Sequence, residues 1–190
     1  MRYFQLTLTG LAATALFLAC KESTSPRQNS PPEVAGPSLT LAVGFTGTPV
    51  ARGNAGTFHI NSKANGYDVQ IKTKDNTDIV VTNIVVVPRG HSGWHSHPGP
   101  VLVVVKTGTI TFYHAGGHGD DQNGENQNEN NRKCTRTVHA AGTAFIETGG
   151  EVGLARNEGT GNAEVTATFF VPAGAATRVD QPAPGGNCPS

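Results

Sequence analysis

Short runs of β-branched residues, separated by glycine, proline and polar turns, make up most of the chain after residue 38. The clearest run is Ile79–Val87, which has Asp78 before it and Pro88-Arg89-Gly90 after it. Runs of this kind between turn residues predict β-strands. Further strands are predicted at Asp68–Lys72, Val101–Val105, Thr109–Tyr113, Thr143–Glu147, Val152–Arg156 and Ala163–Val171, with edge strands in Leu39–Ile60. Because helical periodicity is missing, the pattern predicts an all-β fold, either a sandwich or a barrel.

Two connections between these runs carry their own predictions. Val101–Val105 and Thr109–Tyr113 flank a glycine turn, Lys106-Thr107-Gly108, and this arrangement predicts a β-hairpin. Residues 115–133 are nearly all Gly, Asn, Asp, Glu and Gln. Such a composition predicts a long, solvated polar loop within the barrel domain.

The N-terminal residues 1–19 have the pattern of an export signal. Arg2 precedes the apolar run Leu6–Ala19, which is too short to span a bilayer. Cys20 follows directly, and the whole segment resembles a bacterial lipoprotein signal, which implies that Cys20 becomes the lipid attachment site. The alternative is an ordinary signal peptide with a coincidental cysteine. The resemblance predicts an exported protein of the cell envelope that contacts a bacterial membrane through its lipid anchor only.

The remaining chain divides into three segments. Residues 20–38 are polar and rich in Pro and Ser, which predicts a disordered tether. Residues 39–181 have a usual size for one domain, the β-barrel, and residues 182–190 form a C-terminal tail. If Cys20 is lipidated, Cys134 and Cys188 are left, and an oxidising compartment favours a disulfide between them over two free thiols.

Charge and motifs narrow the function classes. The chain has 14 Lys and Arg against 14 Asp and Glu, and its formal net charge is zero. Without a basic stripe, nucleic acid is not an expected partner. The sequence contains no nucleophile elbow, phosphate-binding glycine loop or dinucleotide fingerprint. The expected partner is a small molecule, and a homodimer stays open.

His95 and His97 are the residues with the clearest chemistry. They are two positions apart, so on an extended chain their imidazoles point to the same face. Two neutral imidazole nitrogens can then converge on one transition-metal ion. Trp94 and Ser96 would face the other way.

The segment around this pair resembles the first motif of the cupin superfamily, which is His-x-His followed by a glutamate and a glycine. Gly90, His95, His97 and Gly108 occupy the places of that motif. Residues 142–157, GTAFIETGGEVGLARN, are similar to the second cupin motif. The resemblance is to small single-domain bacterial cupins and covers roughly residues 78–172. It implies a single cupin-type jelly-roll β-barrel.

The chain departs from the cupin motifs at two ligand positions. Val101 stands in the glutamate slot and Gly153 in the histidine slot of the second motif, so two of the family's four usual metal ligands are missing. Glu151 lies two residues before Gly153 and should point to the same interior face. Glu151 is therefore the predicted substitute ligand, with Glu147 as the second candidate.

Three interpretations of the histidine pair stay open. The histidines hold a divalent transition metal (Fe, Mn, Ni or Zn) together with Glu151, or they line an apolar pocket without metal, or they are hydrogen-bonded polar groups at a barrel mouth. The predicted function is that of an exported, lipid-anchored protein that binds a small ligand, a divalent metal or both. The alternatives are a metal-dependent dioxygenase, isomerase or lyase that uses His95 and His97, and an envelope structural module. The fold cannot choose among them.

Overall fold

The computed structural model describes residues 38–116 and 134–189, and within these residues every regular element is a strand. No helix in this part of the chain is long and apolar enough to cross a membrane. The predicted signal, Cys20 and nearly all of the predicted tether and polar loop lie outside the described residues. The strands are β1 (Val43–Gly56), β2 (His59–Ala64), β3 (Tyr67–Lys72), β4 (Thr77–His91), β5 (His95–Ser96), β6 (Val101–Thr107), β7 (Thr109–His114), β8 (Thr135–Ala140), β9 (Ala144–Glu147), β10 (Gly153–Arg156), β11 (Ala163–Pro172) and β12 (Val179–Asp180).

Ten of these twelve strands form two antiparallel layers that face each other, and β2 and β3 pair with each other in a separate two-stranded sheet. One layer has the order β1-β4-β11-β6-β9, and the other has the order β8-β7-β10-β5-β12. The end of β4 pairs with β10 and joins the layers into a nearly closed barrel. Most successive strands from β4 onward alternate between the layers, which is the arrangement of a jelly roll. The predicted all-β jelly-roll fold is confirmed.

Alternation of side chains along the strands builds the core. In β11 every second residue is buried and the residues between are partly exposed, because neighbouring side chains point to opposite faces of a sheet. β4 and β6 contribute their buried positions to the same core. The inner residues of these three strands are Val80, Ile84, Val86, Val101, Val103, Val105, Ala163, Val165, Ala167, Phe169 and Val171.

The predicted hairpin across Gly108 is wrong. β6 pairs with β11 and β9, whereas β7 pairs with β10 and β8, so the glycine turn carries the chain from one layer to the other. Gly108 has a φ of 71°, and an added Cβ would lie 2.8 Å from the carbonyl oxygen of Asn162. The turn residues indicate a sharp reversal, but distant strands occupy both edges of β6. The exposed, polar β8 is a strand that the sequence pattern did not indicate.

The C-terminal residues 173–189, here called the strap, pack against the strand that carries the histidines. β12 of the strap pairs with β5, and the indole Nε1 of Trp94 donates to the carbonyl oxygen of Pro189 at 2.9 Å. A disulfide joins Cys188 of the strap to Cys134, as the cysteine count predicts. The strap is therefore held to the barrel by strand pairing and by a covalent bond.

Candidate metal centre

The two histidines lie together in the interior. His95 is on β5 and His97 follows it, and their ring centroids are 4.7 Å apart with the rings nearly perpendicular. The residues are only 5% and 6% exposed, respectively. The geometry agrees with the common face expected from their spacing in the sequence. Trp94 and Ser96 instead make hydrogen bonds to the strap.

Backbone carbonyls fix the orientation of both rings. The Nδ1 of His95 is 2.9 Å from the carbonyl oxygen of Gly93, and the Nδ1 of His97 is 2.5 Å from that of Thr177 in the strap. A carbonyl oxygen can only accept, so each Nδ1 carries the proton and donates it. The lone pair of each neutral ring is then on Nε2. A ring nitrogen held in this way by a backbone carbonyl is typical of histidines that bind metal.

Glu147 completes the cluster. Its Oε2 is 3.1 Å from the Nε2 of His97, and the donor atoms of His95, His97 and Glu147 all lie within 4.8 Å of one another. A neutral imidazole has a single N–H, and that of His97 is used by Thr177. The Nε2 and the carboxylate therefore face each other with lone pairs only. Such a contact needs a cation between the two groups, either a second proton on the ring or a metal ion.

The environment of His95 favours the neutral form that metals bind. Burial, together with the nearby charge of Arg178, lowers the pKa of His95 to about 3. A buried imidazole resists protonation because the charged form loses its hydration. At neutral pH the ring is therefore ready to ligate without first losing a proton.

Glu151, the predicted carboxylate ligand, is placed elsewhere by the structure. Its carboxylate pairs with the Nδ1 of His114 and accepts hydrogen bonds from Thr148. Burial opposes its ionisation, but these hydrogen bonds outweigh burial and lower the pKa of Glu151 to about 2. Alternation cannot be extended from Gly153 back to Glu151, because β10 begins only at Gly153 and a turn at Gly150 precedes it. The carboxylate in the cluster is that of Glu147, the second candidate.

Strand pairing explains how Glu147 reaches the histidines. Glu147 on β9 lies directly opposite Val101 on β6, and both residues are buried. Directly opposed residues have Cβ atoms about 4.5–5.5 Å apart on the same face of the sheet. The neighbouring strand thus places a carboxylate beside position 101, where the resemblance in the sequence leads one to expect a glutamate. The register of β9 against β6 is the signal that would have identified Glu147.

The histidine that the resemblance leads one to expect at position 153 has no such replacement. Gly153 pairs with His95 on one side and with His114 on the other. An added Cβ at Gly153 would lie only 2.2 Å from the Cζ of Phe112. The phenyl ring therefore fills the space that a side chain at position 153 would use. Within the described residues the cluster has three potential metal ligands, two imidazoles and one carboxylate.

The cluster faces a cavity of about 200 Å³ between the two layers. His95, His97 and Glu147 form part of its wall, and most of the other lining residues are apolar. Three protein ligands leave coordination positions that water or a ligand can take. A metal bound by this cluster would thus be reached from the cavity.

Several solved structures are similar to part of the chain. One is oxalate oxidase in complex with glycolate, with 19% identity and a TM-score of 0.39 over 50% of this chain and 42% of that chain. The oxalate decarboxylase of Bacillus subtilis, described with Mn(II) centres, has 14% identity and a TM-score of 0.42 over 54% and 23% of the two chains. The formate complex of Lactobacillus farciminis oxalate decarboxylase has 13% identity and a TM-score of 0.42 over 54% and 26%. The chain spans less than half the length of these three proteins. No protein-family model and no curated protein matches it.

Proposed function

We propose that this chain is a metal-binding protein of the cell envelope whose barrel holds a divalent transition metal through His95, His97 and Glu147. The proposal rests on one observation. Both Nδ1–H groups are used by backbone carbonyls, so in the neutral form of the ring the Nε2 of His97 faces the carboxylate of Glu147 across 3.1 Å with a lone pair. A divalent cation satisfies both lone pairs at once.

The donor set restricts the metal. Two imidazoles and one carboxylate, with open positions, are typical of Fe(II) sites, and nitrogen and oxygen donors also suit Mn(II), Ni(II) and Zn(II). When bound, such an ion supplies Lewis acidity toward a ligand in the cavity. The protein's own part is to hold the donors, through the carbonyls of Gly93 and Thr177, and to surround the open side with apolar walls.

Metal titration of tag-free protein tests the proposal. We expect the unaltered chain to bind one equivalent of metal in calorimetry and in elemental analysis. Changes to groups that only orient ligands already cost about 10–100-fold in metal affinity, so loss of a direct ligand in Glu147→Gln should cost at least about 100-fold. Glu151→Gln is the matched control, since it removes a carboxylate four residues away and should leave the affinity within about twofold.

The same titration can contradict the proposal. Substoichiometric metal that is equal in the unaltered protein and in a His95→Ala, His97→Ala variant would overturn it. If Glu151→Gln weakened binding and Glu147→Gln did not, the carboxylate ligand would be the one expected from the sequence. Either result is read only from variants with a cooperative unfolding transition.

A metal-dependent enzyme is the second candidate function. It is favoured by the three-ligand set, because catalytic metals keep a position open for water or substrate. The test is to load the protein with Fe(II) or Mn(II), add ligands that bind the cavity, and search for their conversion by mass spectrometry. Conversion that disappears in Glu147→Gln would support an enzyme, and unchanged ligand would support a binding protein.

Export and lipid anchoring are part of the proposal. They are supported by the signal-like residues 1–19 with Cys20, and by the disulfide between Cys134 and Cys188, which is typical of oxidising compartments. We expect a palmitate label to be incorporated by the full chain in a bacterial host and lost in Cys20→Ala. A chain that is exported but unlabelled would contradict the anchor alone.

A further inference from the structure

The cavity beside the candidate metal centre has the size of a small organic group. Its volume is about 200 Å³, and a protein cavity of about 150 Å³ with apolar walls is large enough to take benzene. Its lining includes Ile84, Val103, Phe145, Ala167 and Phe169. Such walls favour an apolar body, because each polar group placed against them would lose its hydrogen bonds to water.

The titratable groups that line the cavity lie together: His95, His97 and Glu147 form one cluster, and Arg178 is close enough to lower the pKa of His95. Arg178 of the strap is the only lysine or arginine among the described residues that line the cavity. Its Nε donates to Asp180 at 2.6 Å and its Nη2 to the carbonyl oxygen of Ser92 at 2.6 Å. These two bonds fix the guanidinium near His95, and the N–H groups of Nη1 make no hydrogen bond within the described residues.

The net charge around the histidines indicates what charge a bound ligand would carry. A divalent metal held by two neutral imidazoles and the Glu147 carboxylate leaves one positive charge, whereas Arg178 and Asp180 balance each other. One monoanion would neutralise the site. A carboxylate has this charge, whereas a phosphate monoester brings about −1.5 to −2 charges. The N–H groups of the Arg178 Nη1 can also donate a charge-assisted hydrogen bond to a carboxylate oxygen.

We propose that the metal-loaded cavity takes a small monocarboxylate with an apolar body, whose carboxylate lies at the metal beside Arg178. The apolar body lies against Val103, Phe145 and Ala167. This proposal rests on the proposed metal site, and it names the class of ligand that the site takes. Without metal, the carboxylate of Glu147 repels such a ligand, so binding requires the ion.

Calorimetric titration of the metal-loaded full chain tests this ligand class. The probes are hexanoate and benzoate, their neutral counterparts 1-hexanol and benzamide, and acetate as an acid without an apolar body. A hydrogen bond to a charged group contributes about 1.5–3 kcal/mol, so we expect hexanoate and benzoate to bind at least about tenfold more tightly than the neutral probes. Acetate should bind more weakly than hexanoate, and protein stripped of metal should bind none of the acids.

Two variants test the carboxylate and the apolar body of the ligand separately. In protein saturated with metal, Arg178→Gln should weaken hexanoate binding by about tenfold. Ala167→Leu fills the cavity and should weaken hexanoate but leave metal binding intact. Thr168→Leu is its matched control, because position 168 is on the opposite face of β11.

The outcomes distinguish this proposal from the one on which it rests. A chain that binds no metal overturns the proposed function and this proposal together. A metal-loaded chain that binds hexanoate no better than 1-hexanol overturns the ligand class and leaves the metal site standing. If Ala167→Leu and Thr168→Leu weakened hexanoate binding equally, the apolar body of the acid would not lie in the cavity. This result would also overturn the proposal.

Discussion

The carboxylate ligand should be transferable from one strand to the next. Glu147 and Val101 face each other across β9 and β6, are 8% and 1% exposed, and point to the same interior. Glu147→Val removes the carboxylate, and the double variant Val101→Glu, Glu147→Val returns it on the neighbouring strand. Because the opposed Cβ atoms are about 5 Å apart, a glutamate at position 101 can reach the same histidine nitrogens.

The expected magnitudes follow from this geometry. Glu147→Val should weaken metal binding at least about 100-fold, and the double variant should recover it to within about tenfold of the unaltered protein. Val101→Glu alone places two carboxylates in the site. At about 5 Å and an effective dielectric constant of about 20, their repulsion is about 3 kcal/mol, so the metal-free protein should be destabilised by that order.

Two measurements test these expectations. Calorimetry gives the metal affinity, and urea unfolding gives the stability of the metal-free protein. The control is Val101→Gln, Glu147→Val, which has the same shape as the rescuing variant but no charge, and should remain weak. If the rescuing variant folds cooperatively and binds metal no better than this control, the cross-strand explanation of the site is refuted. Unchanged affinity in Glu147→Val would refute it at an earlier step.

Three further predictions concern the surroundings of the site. Gly153→Ala should cost about 1–3 kcal/mol in urea unfolding, since its Cβ would lie 2.2 Å from the Cζ of Phe112, and the additional change Phe112→Leu should recover part of that loss. Cys134→Ser with Cys188→Ser should lower the thermal midpoint by the equivalent of about 2–4 kcal/mol. The same double change should also weaken metal binding, because it releases the strap, whose Thr177 carbonyl orients the ring of His97. A metal affinity equal to that of the unaltered chain would contradict this role of the strap. The pKa of Glu151 is about 2 in the folded chain and about 4.5 when unperturbed, so its stabilising effect is complete above pH 4.5 and is lost as the pH falls toward 2. Urea unfolding of Glu151→Gln should therefore show a shallower acid dependence than the unaltered chain, and parallel curves would contradict the assignment.

Local patterns in the sequence were sufficient for most of the fold. The runs that predict β4, β6, β9, β10 and β11 coincide closely with the observed strands, because each run has its own alternation and its own turn residues. The hairpin between β6 and β7 failed for a different reason. A turn residue such as Gly108 shows that the chain reverses, but pairing is decided by which distant strands bury the same faces.

The candidate site was likewise predictable from the sequence only in part. The common face of His95 and His97 depends on a spacing of two residues, and it was predictable. Glu151 was inferred by extending alternation past the end of a strand, where the turn at Gly150 interrupts it. Glu147 depends on the register of β9 against β6, which no local pattern contains.

A ligand position in an antiparallel barrel is therefore better described by a row across the strands than by a slot along one strand. Residues opposed in a row share a face and have Cβ atoms about 4.5–5.5 Å apart, so carboxylates at neighbouring positions of a row can reach the same point. Phe169, Val101 and Glu147 form such a row across β11, β6 and β9. At Gly153 the neighbouring space is filled by Phe112, and an aromatic ring has no lone pair to offer. The candidate site consequently has three potential metal ligands and adjoins an apolar cavity, so a molecule bound there would have to supply both a further donor atom and the hydrophobic contact.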